Sequence, residues 1–250
     1  MTKVIPIITW TGDNAVALSR TLDTVSDWET VYLYTTETYE NTQRVLGNSF
    51  KGSGNVVVFT TNNPDTTVSD MKNQGILDVS ADWPDAYVIF LEAGDQLGLT
   101  ELCTDDITTK DPVYYGAVAG EYHGKVFEPL YEILEYSLPL STCGILFNVT
   151  WLCSRDNLRF KGDSEFTFLR NVLRESWTGK AWTIDFEVAS GRTHRYCSEI
   201  KEILGDISED DEDYLRVRHL LTRLILDGLT SDESDQVSDY LEFAFPESNF

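Results

Sequence analysis

Carboxylates stand at two places where they are able to do chemistry. Glu92 and Asp95 follow the continuous apolar run 87–91, with Ala93 and Gly94 between them. Hard oxygen ligands at the end of a buried strand suit a hydrated divalent cation that bridges phosphates. The two small residues leave room for a ligand to approach the backbone. The same four residues also make an ordinary polar turn, with Gly94 in a left-handed conformation. Asp163 and Glu165 stand just ahead of the helical pattern 166–173. Backbone N–H groups keep a carboxylate ionised there, which suits a general base and equally suits a helix cap. A basic group follows. Arg192, His194 and Arg195 fall within four positions of a chain with only 19 Lys and Arg, and such side chains offset phosphate charge.

These side chains need elements to hold them. The segment 4–10 reads as a strand, with Pro6 making it irregular or placing it near an edge. Gly12, Asp13 and Asn14 turn the chain and cap a helix, in which Ala15, Leu18, Leu22 and Val25 recur at helical spacing. Then come a strand over 31–34, a helix over 38–46 stopped by Gly47, a strand over 56–59, a helix from 66 to about 79 and the buried strand 87–91. This alternation predicts right-handed βαβ units on a mostly parallel sheet. Ligands on such sheets bind at the carboxyl ends of the strands. The loops after Trp10, Tyr34, Phe59 and Leu91 are therefore expected to surround one site.

The second half is less regular. Strands are predicted over 112–119 and 182–188, an apolar stretch over 138–147 crosses Gly144, and a helix covers 166–173. After an acidic run at 208–213, Tyr214, Val217, Leu221 and Leu224 form an amphipathic stripe. A second short helix starts at the capping box Thr230, Ser231, Asp232, Glu233. The expected organisation is one domain over 1–205 and an acidic helical appendage over 206–250.

Composition bounds the function. Hydrophobic residues make up 42% and aromatics 12% of 250 residues, which rules out disorder across the whole chain. Against 19 Lys and Arg stand 42 Asp and Glu, a net charge of −23. Such a surface repels phosphate backbones and anionic lipids, so a nucleic-acid partner is disfavoured. No apolar run reaches the roughly 18 residues of a membrane span. Cys103, Cys143, Cys153 and Cys197 form no CxxC pair. Reduced thiols and a cytoplasmic location are expected.

Four segments then fall in a familiar order. They are VIPIITWTGDNAVALSRTLDTV at 4–25, MKNQGILDV at 71–79, DAYVIFLEAGDQL at 85–97 and FKGDSEFTFLRNVL at 160–173. SGRTHRYCSE at 190–199 is a weaker fifth. Over roughly residues 3–200 the chain resembles the family-2 glycosyltransferases, which have the GT-A fold. The first segment is similar to that family's opening strand, polar loop and helix. The second is similar to its basic-Asn-x-Gly-Ile helix, and the third to its strand ending in an Asp-x-Asp type motif. The fourth is similar to its acidic loop carrying the catalytic base.

The resemblance implies an α/β protein of GT-A type, the nucleotide-diphospho-sugar transferase fold, with a mostly parallel central sheet flanked by helices. It implies glycosyl transfer from a nucleoside diphosphate sugar, with inversion, to an unidentified acceptor. Asp163 is the implied base, with Glu165 its competitor. Asp95 and His194 are the implied ligands of Mn2+ or Mg2+. The donor is implied to meet Thr9, Trp10, Thr11, Asp13, Glu37, Asn62, Asp65, Lys72, Asn73, Glu92, Ala93 and Arg192. The chain departs from the pattern at Glu92 and Gly94 in the acidic motif. It departs again in YTTETYE, where Glu37 is the nearest acid to the family's base-contacting Asp. A catalytically degenerate GT-A domain that binds a nucleotide or a partner is the alternative, and sugar transfer to modified nucleotides or DNA bases a further one. A nucleotidyltransferase ranks lower, because WTGDNAV has one Gly and no basic residue.

Overall fold

A computed structural model of the chain describes residues 3–49, 55–61, 63, 65–98, 113–117, 126–127, 142–162, 165–175, 179–183 and 186–187. The boundary expected at 205 and the appendage over 206–250 lie outside the described residues. The first half alternates as its periodicity requires: β1 (Val4–Trp10), α1 (Ala15–Thr24), β2 (Thr30–Thr35), α2 (Tyr39–Ser49), β3 (Asn55–Thr60), α3 (Val68–Asp82) and β4 (Tyr87–Glu92). Short strands β5 (Gln96–Leu97), β6 (Val113–Ala117) and β7 (Val126–Phe127) follow. A 3-10 turn over Thr142–Gly144 then leads into β8 (Ile145–Asn148) and α4 (Val149–Cys153). The last described elements are α5 (Glu165–Glu175), β9 (Gly179–Thr183) and β10 (Phe186–Glu187).

The main sheet has the order β3-β2-β1-β4-β8-β6-β9-β7. β1 pairs in parallel with β2 and β4, β2 with β3, and β6 with β9. β8 is antiparallel to both β4 and β6, and β7 is antiparallel to β9. Six strands thus run one way, with β7 and β8 against them. Helices pack on this sheet, so the architecture is the mostly parallel α/β form expected. β5 and β10 form a separate antiparallel pair.

Each face of the sheet has its own packing rule. Ile8 and Trp10 of β1 point into a cluster with Leu18 and Leu22 of α1 and Ile89 and Leu91 of β4. Ile7 points the other way, against α3. A Cβ on Gly75 would sit 2.8 Å from Ile7 Cγ2, so only glycine lets α3 lie this close to β1. Every residue of β4 is buried. Its Phe90 joins an aromatic group in which Phe160 stacks on Phe168 at 4.0 Å between ring centroids.

Several local expectations are corrected. β1 is not an edge strand: it lies between β2 and β4. Pro6 is tolerated there because pairing with β2 begins only at Ile7, past the missing N–H. Gly47 does not stop α2 but lies inside it, with a backbone that needs no special φ. Ala15 is exposed, and the buried residues of α1 are Leu18, Thr21 and Leu22. In the stretch 138–147 the described strand is confined to Ile145–Asn148, preceded by the 3-10 turn. The strand predicted over 182–188 instead ends at Thr183 as β9, and Phe186–Glu187 pairs elsewhere as β10. Among the described residues no helix is long and apolar enough to cross a membrane.

Candidate functional site

The carboxyl ends of the first four strands stop side by side. Thr9 is in register with Glu92, Trp10 with Thr35, and Thr35 with Thr60. Three loops and the end of β4 therefore share one edge of the sheet.

The loop after β1 carries Thr11, Gly12 and Asp13, and Thr11 and Asp13 are exposed. Gly12 has φ +93°, and a Cβ there would lie 2.1 Å from Glu37 Oε1. The Glu37 carboxylate thus rests against bare backbone. Asn41 Nδ2 donates to Glu37 Oε2, and Glu37 N donates to Thr35 Oγ1 at 3.0 Å. Thr36 Oγ1 reaches Thr11 O at 3.4 Å and ties the two loops together. Thr9 is buried, with its hydroxyl 3.5 Å from Leu91 O. The Trp10 side chain is buried, and its Nε1 has no hydrogen-bond partner among the described residues. After β3, Asp65 N donates to Asn63 Oδ1 at 3.0 Å, and the Asp65 side chain is exposed. Asn62 lies outside the described residues.

The end of β4 is a tight acidic turn. Gly94 has φ +112° and donates to Thr21 Oγ1 at 2.8 Å. Ala93 N donates to Thr9 O at 3.0 Å. Asp95 is fully buried, and its Oδ2 accepts from Glu92 N at 2.7 Å. Its own N–H donates to Glu92 O at 2.9 Å, which closes the turn. The Asp95 carboxylate therefore shapes the backbone that presents Glu92.

Behind this turn stands a buried ion cluster. Lys72 on α3 is 2% exposed, and its Nζ lies 2.9 Å from Glu92 Oε1 and 3.2 Å from Glu165 Oε2. Glu165, the first residue of α5, also accepts at Oε1 from Thr142 N at 2.9 Å and from the Thr142 hydroxyl. Asn73, the residue after Lys72 on α3, pairs with the backbone of Phe160. Its Nδ2 donates to Phe160 O at 2.8 Å, and its Oδ1 accepts from Phe160 N at 2.9 Å. The KNQGI segment thus uses each marked residue for contact within the fold: Lys72 for the carboxylates, Asn73 for Phe160, Gly75 and Ile76 for packing on the sheet.

α3 also carries two tyrosine contacts. Tyr34 OH donates to Asp78 Oδ2 at 2.8 Å, and Tyr32 OH donates to Asp82. Burial first, then the Asp82 hydrogen bond, pushes the Tyr32 phenol up to about 12. Burial and Asp78 push Tyr34 up as well. At the start of α3, hydrogen bonds from the Thr67 backbone and side chain hold Asp70 below its ordinary value.

Asp163, Arg192 and His194 lie outside the described residues. Among the described residues, no group of three His, Cys, Asp or Glu side chains is arranged to hold a metal ion. Of the implied metal ligands, Asp95 is enclosed and accepts from Glu92 N, and His194 is outside the described residues; Glu92, beside Asp95, faces the Lys72 ammonium. Thr142, Thr21 and the Phe160 backbone are contributors that periodicity did not reveal. Thr142, at the start of the 3-10 turn, gives only the weak signal of a polar residue at an element end, and Thr21 inside α1 and the Phe160 backbone give none.

The sheet and its site edge define the class: a mostly parallel α/β protein in the form that the resemblance to the GT-A fold implies. Among solved structures the chain is similar to 4-diphosphocytidyl-2C-methyl-D-erythritol synthase of Anaerococcus prevotii, at 15% identity and TM-score 0.43, over 74% of this chain and 90% of that one. It is similar also to HddC of Yersinia pseudotuberculosis, at 10% identity and TM-score 0.47, over 80% of this chain and 100% of that one. No family model and no curated protein matches the chain.

Proposed function

We propose that the chain binds a nucleoside diphosphate sugar at the carboxyl ends of β1 to β4 and transfers the sugar to an acceptor hydroxyl, as the family-2 glycosyltransferases it resembles do. The observation that carries this reading is the Glu37 carboxylate seated on Gly12, on the same sheet edge as the acidic end of β4. A carboxylate fixed there accepts hydrogen bonds from nucleobase N–H or ribose hydroxyl groups. Thr9, Trp10, Thr11, Asp13, Asn62 and Asp65 border the same loops. Glu92 accepts from a sugar hydroxyl, next to Ala93 and Gly94. In the transfer, the acceptor oxygen bonds to the anomeric carbon as the bond from that carbon to the diphosphate oxygen breaks. The acceptor proton passes to a carboxylate, and the nucleoside diphosphate leaves. By resemblance that base is Asp163, and Arg192 and His194 face the diphosphate.

A binding module without turnover is the second reading. What favours it is that both acids at the end of β4 are engaged within the protein, Asp95 by Glu92 N and Glu92 by Lys72. Titration calorimetry with nucleoside diphosphates, with Mn2+ and with a chelator, followed by hydrolysis assays on a panel of nucleotide sugars, separates the two. Binding with turnover supports the transferase. Binding without turnover supports the module, and no binding of any nucleotide rejects the transferase and a nucleotide-binding module together.

A further inference from the structure

Resting on the transferase reading, we infer that Lys72 is a positioning residue: its ammonium fixes the carboxylate of Glu92 toward the donor, and Glu165 anchors the lysine instead of acting as a base. Three observations carry this. Lys72 is 2% exposed, too enclosed to touch a ligand held in the strand-end loops, so its effect on a ligand passes through another side chain.

Of the three charged members, Glu92 keeps the largest accessible share. Its side chain is 11% exposed, against 2% for Lys72 and 5% for Glu165. Glu92 is also the member that ends β4 at the site edge. The cluster therefore has an inner end and an outer end.

The inner end is locked from several directions. Glu165 Oε1 takes the Thr142 N–H at 2.9 Å and the Thr142 hydroxyl, while Oε2 takes Lys72. A carboxylate held through both oxygens in the interior is poorly placed to receive an acceptor's proton. On another side of the ammonium lies the Phe160 ring, 5.0 Å from Nζ, and Asn73 clamps the Phe160 backbone in turn. Stability alone gives little reason for such a cluster, since apolar residues of similar volume often replace buried ion groups without loss. Orientation of Glu92 is what an apolar cluster cannot supply.

A double-mutant cycle in donor hydrolysis tests the inference. Wild type, Lys72→Met, Glu92→Gln and the double variant are compared for kcat and donor KM, with folding checked by near-UV circular dichroism. Misplacement of a reacting contact by about 1 Å costs on the order of 10²-fold. Lys72→Met is therefore expected to lose on the order of 10²-fold in kcat/KM for the donor, and to add no loss once Glu92 is Gln. Lys72→Arg, which keeps the charge, is expected to recover part of kcat/KM. If Lys72→Met does not fold, Lys72→Met with Glu165→Gln removes one cation and one anion together, and the same cycle is run against Glu165→Gln alone. Independent, multiplying losses from Lys72 and Glu92 overturn the inference while leaving the transferase reading intact. A wild type that turns over no donor overturns the transferase reading, and the positioning role with it.

Discussion

Lys72 is the residue on which the interior of this site turns. A buried carboxylate deprived of its cation cannot recover the solvation lost on folding. Breaking a buried ion group by removing one member typically costs about 3–5 kcal/mol. Lys72→Met is expected to lower the urea unfolding free energy by an amount in that range, because Glu92 and Glu165 both remain. Adding Glu165→Gln should return part of the loss, since one of the two stranded charges is gone. Equal stability of the single and double variants in urea titrations would count against the cluster acting as a unit. The sequence marks Lys72 as the basic residue of KNQGI but says nothing of its partners, which are 20 and 93 positions away.

At the scale of elements, α3 is the hub, and its start and its middle are testable. Its start is a capping box in which Thr67 Oγ1 accepts from Asp70 N at 3.1 Å and Asp70 Oδ2 accepts from Thr67 N at 2.9 Å. Thr67→Ala is expected to cost about 1 kcal/mol of stability. Asp70 has its carboxyl held below the ordinary 3.8 by these bonds. A depressed acid stabilises the fold at pH above its unfolded value, and that contribution fades as pH falls through the folded one. An acid titration of unfolding should therefore separate wild type from Asp70→Asn above pH 3.8 and bring them together below it. The middle of α3 is pinned to the second half through Asn73. Asn73→Ala leaves the Phe160 N–H and C=O without their partner, and a loss of about 1–3 kcal/mol is expected in urea unfolding. Helical spacing points to Val68, Met71 and Gly75 as one side of α3; Met71 and Gly75 are buried, while Val68 is half-buried and Ser69, Lys72, Ile76 and Val79 complete the buried side. The amide clamp is not readable, because its partner is a backbone that any residue type would offer.

Across the whole molecule the dominant quantity is charge. A net charge of −23 on 250 residues sets the compact state against its own repulsion. Raising ionic strength from about 0.01 M to about 1 M shortens the screening length from about 30 Å to about 3 Å. The thermal unfolding midpoint is expected to rise over that range in NaCl, as followed by far-UV circular dichroism. A flat or falling midpoint would mean that surface ion pairs offset the repulsion. At this scale also belongs the alignment of the strand ends, which brings residues as distant as Thr9, Thr35 and Glu92 to one edge.

The end of β4 shows how far the sequence reaches by itself. Apolar runs and helical spacing are local properties, and they determined the alternation of strand and helix through residue 91 and the edge on which Glu92 stands. Local rules also brought Asn14 to the cap of α1, where its side chain accepts from Val16 N and Ala17 N. They failed at Pro6 and Gly47, where tertiary pairing and helix continuation outweighed the weak local preferences. Only the tertiary structure decided that Glu92 faces Lys72, that Asp95 turns inward to hold Glu92 N, and that Glu165 is bound by Thr142. The reason is physical. A strand's burial is written in its own residues, but a buried charge takes its partner from whatever segment the fold brings within about 3 Å, and no local pattern records that meeting.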